Sequence, residues 1–282
     1  MEQRAAPQGR YCPDLRRPRH LRVVAVAFVP PSFDVLGVPV TVTDLDRATE
    51  TILGWKGDAI GRAVGVRDVA SLMTMQADAE LMAVTKRTAM NLPDGMPLVW
   101  IGRHRGLPVG RACGPDLMER VLLDGRATGL KHFLFGGKEG VAEALAERFR
   151  AKAPGVEIVG TSCPPFRPLT PQEDADLVAQ ILASGADVVW VGISSPKQDV
   201  WMDAHREILP VTMIGVGAAF DYHAGSIMRA PRWMQRAGLE WAHRLVSEPG
   251  RLWRRYLVLA PLFLWRVLTT RKPAKNTFGG AS

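Results

Sequence analysis

A chain of 282 residues with 47% hydrophobic side chains is long enough to bury one substantial core, which sets aside a chain too polar to fold. No apolar run reaches the roughly 18 residues of a spanning helix, and Cys12, Cys113 and Cys163 are too scattered for a metal knot or a disulfide framework, which fits a reducing compartment. The net charge of +8 is uneven: residues 1–22 hold six arginines against Glu2 and Asp14, residues 229–275 hold eleven Arg and Lys against Glu240 and Glu248, and 23–228 is left acidic.

In chain order, 1–22 reads as a disordered basic leader; the apolar run 23–29 that follows is too short, and too soon ended by Pro30-Pro31, for a signal peptide. Residues 36–42 read as a strand with irregularities at Gly37 and Pro39. A helix follows to about Trp55. Its Asp44-x-Asp46 could bind a metal, but capping of the helix N-terminus explains it better. Residues 63–69 read as a strand and 71–87 as one helix, with Leu72, Met75, Ala79 and Met82 at helical spacing. Next comes Asn91-Leu92-Pro93-Asp94-Gly95-Met96, with a helix expected through Trp100 to Arg105. Pro93 stiffens the approach to Asp94 and Gly95 lets the backbone turn after it. A carboxylate on such a turn suits proton transfer or ligand gripping, and Pro-Asp-Gly is also a common turn sequence.

Gly114-Pro115 opens a helix that ends near Gly129. From 131 to 217 strands alternate with helices: strands at 132–135, 156–160, 187–192 and 211–216, helices at 141–152, 170–184 and from 195. This is the doubly wound α/β plan, a Rossmann-like, mostly parallel sheet with helices on both faces, whose ligands sit beyond the C-terminal strand ends. Gly136-Gly137, the 192–198 loop and the 217–225 loop all fall on that edge. The glycine pair fits a phosphate turn and fits close helix–strand packing equally well.

Beyond Met228 the composition changes. Trp233, Leu239, Trp241, Leu245 and Val246 form an apolar set, with Arg232, Arg236, Arg244, Arg251, Arg254 and Arg255 mostly opposite and a break at Pro249-Gly250. Residues 256–268 are apolar, too short to span, and flanked by Arg and Lys. They fit a helix lying in an anionic membrane interface better than a core helix with a solvated basic end. Arginine's fork also suits phosphate oxygens. No nucleic-acid recognition motif accompanies it. The organisation expected is a leader over 1–22, an α/β catalytic domain over 23–228, a helical appendage over 229–270 and a disordered tail over 271–282.

The ordered motifs Pro93-Asp94-Gly95-Met96-Pro97-Leu98-Val99-Trp100, Gly114-Pro115-Asp116-Leu117, Phe135-Gly136-Gly137, Gly192 through Pro196-Lys197-Gln198, Gly215-Val216-Gly217 to Asp221, and Arg229 through Glu240-Trp241 to Arg244 resemble the WecG/TagA/CpsF glycosyltransferase family over about 36–260. The resemblance implies an inverting, metal-independent transfer, with no cofactor, from a UDP-sugar to a polyprenyl-diphosphate-linked saccharide at the cytoplasmic membrane face, in exopolysaccharide or other cell-surface polysaccharide synthesis. It implies Asp94 as general base, with Asp68 and Gly95 on the acceptor side. Donor contacts would come from Gly136, Gly137, Gly192, Lys197, Gln198 and Asp221, with Arg244, Arg251 and Arg254 of the appendage over the diphosphate. A tail that docks only at the membrane would leave Asp94 in an open pocket in solution. One departure stands out: the family's Thr-x-Asn reads Val66-Arg67-Asp68 here, so a second carboxylate is available to raise the pKa of Asp94 or to meet a different acceptor. The alternative is a membrane-attached, non-catalytic nucleotide-sugar-binding scaffold. A dehydrogenase would want G-x-G-x-x-G where 136–141 reads Gly-Gly-Lys-Glu-Gly-Val. Self-association into a homo-oligomer is compatible with the residues and not specified by them.

Overall fold

The structure is a computed structural model that describes residues 30–236 and 238–270, with the side chains of Arg232, Arg236 and Arg251 outside that description. The expected leader, the apolar run at 23–29 and the tail from 271 lie outside the described residues.

The strand expected over 36–42 is instead part of an antiparallel hairpin, β1 (Ser32–Val35) and β2 (Val38–Thr41). Leu36 and Gly37 both have positive φ, 54° and 89°, and such a two-residue turn matches the twist of the strands it joins. Helix α1 (Leu45–Gly54) is capped by Asp44, whose carboxylate accepts from the Arg47 amide at 2.9 Å. The helix expected over 71–87 is two, α2 (Val69–Ala77) and α3 (Ala79–Arg87). Asp78 separates them and accepts from the amides of Glu80 and Leu81, so a capping side chain interrupts an apolar periodicity that runs through both helices.

Strand β3 (Arg62–Arg67) pairs in parallel with β4 (Met90–Pro93), a short strand missed in the sequence because it runs straight into the Asp94 turn. Helix α4 (Met96–His104) follows, then α5 (Gly114–Asp124) with a single 3-10 turn that Gly129 ends at φ 60°. The remaining α/β part is β5 (Lys131–Gly136), α6 (Val141–Lys152), β6 (Glu157–Ser162), α7 (Pro171–Ser184), β7 (Val188–Gly192), α8 (Lys197–His205), β8 (Thr212–Gly215) and α9 (Ala219–Ala224).

Six of these strands form one parallel sheet in the order β4-β3-β8-β7-β5-β6. Alternate residues supply alternate faces. Val64, Leu134, Trp190 and Ile214 face Ile52, Leu117, Leu145 and Phe149 on one side; Phe133, Phe135, Val191 and Met213 face Leu177, Ile181 and Met202 on the other. This is the Rossmann-like doubly wound architecture the strand–helix alternation predicts.

The appendage adds α10 (Arg232–Arg236), α11 (Glu240–Ser247), α12 (Pro249–Trp253), a π-helical turn (Arg254–Leu259) and α13 (Ala260–Thr269). It lies against the body. Phe263 is buried with Phe33, Leu72, Met75 and Leu98, a burial that contributes on the order of 2–3 kcal/mol. Leu252, Leu259, Ala260, Phe263 and Val267 form the inward stripe, while Trp253, Leu257, Leu264, Trp265 and Leu268 point outward and are exposed. Among the described residues no helix is long and apolar enough to cross a membrane.

Candidate active-site cleft

A parallel sheet puts every C-terminal strand end on one edge, and the adjacent strands β3 and β4 end in the two carboxylates of interest. The carbonyl of Arg67, last residue of β3, accepts from the amides of Asp94 at 2.9 Å and Gly95 at 3.4 Å, which pins the turn. Gly95 has φ −75° and caps α4, so the turn makes no use of glycine's conformational freedom. Asp68 caps α2: its Oδ1 accepts from the Ser71 amide at 2.9 Å, and the Ser71 hydroxyl accepts from the Asp68 amide at 2.9 Å.

Asp94 and Asp68 open into a cleft of about 400 Å³ between the sheet edge and the appendage. Its polar end holds the two aspartates with Arg111, Glu240, Arg244, Arg255, Tyr222 and Tyr256; Val69, Met96, Pro97, Trp100, Trp241 and Ala260 form an apolar wall. A second hollow of about 440 Å³, between the end of β6 and α7, is walled by Phe135, Cys163, Leu177, Glu173 and Asp176 and lined by no cation. It is the poorer place for an anionic ligand.

Charges alternate through the cleft. Arg111 donates from Nε to the Asp94 carbonyl at 2.8 Å, and from Nη2 to Asp94 Oδ1 at 3.2 Å and Glu240 Oε2 at 2.9 Å. Arg229 reaches the other oxygen of Glu240 at 3.0 Å and also pairs with Asp116. Arg255 donates from Nε to Asp68 Oδ2 at 3.0 Å, and from Nη2 to the same oxygen. Loss of hydration raises the Asp94 pKa above its ordinary value; Arg111 opposes this, and the charges of Asp68 and Glu240 add to the rise. Asp68 itself is desolvated, but the Arg255 charge and the Ser71 amide outweigh that and lower its pKa. Burial pushes the Cys113 thiol well up, so it remains a thiol and donates to Asp116 Oδ2 at 2.8 Å. Arg244 sits 5.7 Å from the Tyr222 ring centroid, and its buried Nε has no hydrogen-bond partner. The Nε itself is out of reach, but Arg244 lines the cleft, and a guanidinium there suits a ligand oxygen.

The structure thus brings together Asp94, Asp68, Gly95 and Arg244. It places Arg254 on the exposed side of the appendage; the arginine that enters the cleft is its neighbour Arg255, because the inward stripe set by Leu252 and Phe263 falls on 255 and 256. The side chain of Arg251 is outside the described residues. Arg111, Tyr222 and Tyr256 carried no signal that singled them out in the sequence, Arg255 stood only among the arginines of the appendage, and Glu240 only within a longer motif.

The expected donor residues line the same sheet edge but not this cleft. Gly136 and Gly192 are packing positions: a Cβ on Gly136 would meet the Gly192 backbone at 2.5 Å, and one on Gly192 would meet the Phe220 ring at 2.5 Å. The Gly137 amide already donates to the Gly192 carbonyl at 3.2 Å. Lys197 is exposed at the start of α8, Asp221 is half-buried in α9, and Gln198 is buried beside Gly215 with its Oε1 unpartnered. In the structure the appendage lines one side of the cleft through Trp241, Arg244, Arg255, Tyr256 and Ala260.

A doubly wound sheet here sets a desolvated carboxylate among arginines at its C-terminal edge, the edge where sheets of this kind hold their ligands. The chain belongs to the glycosyl transferase WecG/TagA/CpsF family, whose sequence model matches residues 33–277. It is therefore a glycosyltransferase of cell-surface polysaccharide biosynthesis.

Proposed function

We propose that this enzyme transfers a sugar, with inversion and without a metal ion, from a UDP-sugar to a saccharide carried on a polyprenyl diphosphate. The observation that carries the reading is the Asp94 carboxylate, half-buried in a cleft that Arg111, Arg244 and Arg255 also line. Asp94 takes the proton of the acceptor hydroxyl as that oxygen attacks the anomeric carbon. The bond from the anomeric carbon to the UDP oxygen breaks, and its electron pair leaves with UDP. Arg244 and the neighbouring arginines meet the growing negative charge on the diphosphate, an interaction worth most where water is excluded. The raised pKa makes Asp94 a stronger base than an exposed carboxylate.

The donor residues expected on the same edge, Gly136, Gly137, Gly192, Lys197, Gln198 and Asp221, belong to this reading as the nucleotide side. The apolar wall of Trp100, Met96 and Trp241 suits the lipid end of the acceptor. The outward row of Trp253, Leu257, Trp265 and Leu268, with arginines beside it, suits peripheral attachment to the cytoplasmic leaflet.

The test mixes the enzyme, a panel of UDP-sugars and a short-chain lipid-diphosphate-saccharide, and follows UDP release. Asp94→Asn should lower turnover by about 10²–10⁴-fold, the usual contribution of a positioned base. Full turnover by that variant would remove Asp94 from the base role.

A further inference from the structure

Asp68 is a second carboxylate beside Asp94, and the structure gives it a partner. Its Oδ1 is occupied as the cap of α2, while its Oδ2 receives both Nε and Nη2 of Arg255, a residue almost at the other end of the chain. Both residues line the cleft that holds Asp94. The charged and titratable groups that line the cleft with Asp94 are Arg111 from the loop before α5, Cys113 beside it, Tyr222 from α9, Glu240 and Arg244 from α11, Asp68 from the start of α2, and Arg255 and Tyr256 from the π-helical turn. Arg111 is shared between Asp94 and Glu240, so it cannot also neutralise Asp68. Arg255 is the cation in contact with Asp68.

We propose that Asp68 and Arg255 are a matched positioning pair. Arg255, delivered by the appendage, offsets the second carboxylate beside the catalytic one, so that docking of the appendage tunes the ionisation of Asp94 as well as walling the cleft. This rests on the reading of Asp94 as the base. A lone Asp68 next to Asp94 would make two like charges share one site, a situation that drives one of the two carboxylates toward its protonated form. With the pair in place, Arg255 offsets part of the repulsion that Asp68 still exerts on Asp94.

The experiment measures pH–rate profiles of UDP release for the full chain, Asp68→Asn, Arg255→Ala and the double variant, together with the carboxyl 13C titration of Asp94, assigned by its loss in Asp94→Asn. Asparagine caps a helix as well as aspartate does, so Asp68→Asn keeps the α2 N-terminus. Arg255→Ala should move the acidic limb, and the Asp94 titration, up by about one unit or more. Asp68→Asn should move both down, because it leaves Arg255 unopposed. The double variant should return the limb close to that of the parent, even if turnover falls through loss of the arginine.

A merely structural role would lower turnover without opposite shifts. Limbs that stay in place in both single variants, or a double variant that does not return, would overturn the proposal. A changed acceptor KM for Asp68→Asn with an unmoved limb would also overturn it, making Asp68 an acceptor contact instead. These outcomes leave the base assignment standing if Asp94→Asn is inactive; turnover by Asp94→Asn would instead remove the base assignment itself. The 13C titration reports the pair even where turnover is too slow to follow.

Discussion

Replacing Arg67 with methionine tests how firmly the catalytic edge is anchored to the centre of the molecule. Arg67 is fully buried; its Nη1 donates to Asp199 Oδ1 at 2.5 Å and its Nε to Asn91 Oδ1 at 2.8 Å. Asp199, also buried, holds the Ser195 hydroxyl at 2.7 Å through its other oxygen. The pair therefore ties β3, whose last carbonyl pins Asp94, to the start of α8 on the expected donor side. Methionine fills much of the aliphatic volume but leaves a buried carboxylate with one neutral donor. Breaking a buried ion pair from one side costs about 3–5 kcal/mol, and the orphaned Asn91 oxygen adds to that end of the range. At roughly 2–4 °C per kcal/mol for a domain of this size, the melting midpoint should fall by about 10 °C. Differential scanning calorimetry at neutral pH reads this directly. Adding Asp199→Asn should recover a substantial part of the loss, because the uncompensated charge is gone. A single variant within a degree or two of the parent, or a double variant that loses the sum of both singles, would refute the reasoning.

The raised pKa of Asp94 has a stability consequence with a definite sign. A carboxyl whose folded pKa lies above its ordinary value of 3.8 destabilises the fold when ionised, and that penalty is relieved as pH falls through the folded pKa. Asp94→Asn should therefore melt higher than the parent at pH 7, with the gap narrowing as the pH approaches 3.8; a lower melting point at pH 7 would contradict it. For catalysis, the acidic limb of turnover should sit above the ordinary carboxylate range, and a limb at or below the ordinary value would argue for another base. Gly192→Ala places a Cβ 2.5 Å from the Phe220 ring, and overpacking of this kind costs about 1–3 kcal/mol, measurable by urea unfolding; an unchanged midpoint would show that Phe220 can yield. Trp265→Glu with Leu268→Glu should abolish co-sedimentation with anionic vesicles while leaving the melting point in place, since both side chains point outward; binding that survives would move the membrane contact elsewhere.

The parallel sheet was legible because its strands are short apolar runs separated by capped helices, and period and caps are local properties. Thr170 with Glu173 forms a capping box that three-residue spacing announces, and the helix begins where it predicts. What stayed hidden depended on competition between local signals. Asp78 reads as a polar residue within one helix until it is seen to cap the next. Met90 to Pro93 is too short to announce a strand, and its identity comes from register against Val64 to Arg67. Asp94 could be found because its turn is local. Arg111 and Arg255 could not, because each enters the site through a long-range contact whose direction is set by packing: Arg255 points inward only because Leu252 and Phe263 anchor the same stripe, and Arg254, one residue away and chemically identical, points to solvent.

The appendage shows why composition misleads about such contacts. Eleven basic residues against two acidic ones read as a surface that seeks anions. Yet one of the contacts that fix this surface to the body is acidic: Glu240 is buried and gripped from two sides, by Arg111 of the body and by Arg229. Bulk charge averages away the residue that does the docking, since a buried ion must be fully paired while exposed arginines need no partner at all. The division is physically coherent. Glu240 holds Arg111 and Asp68 holds Arg255, so carboxylates of the cleft itself orient its cations. Under the proposed transfer, the leaving diphosphate would meet guanidinium groups whose orientation is already set, which leaves little reorganisation for that moment.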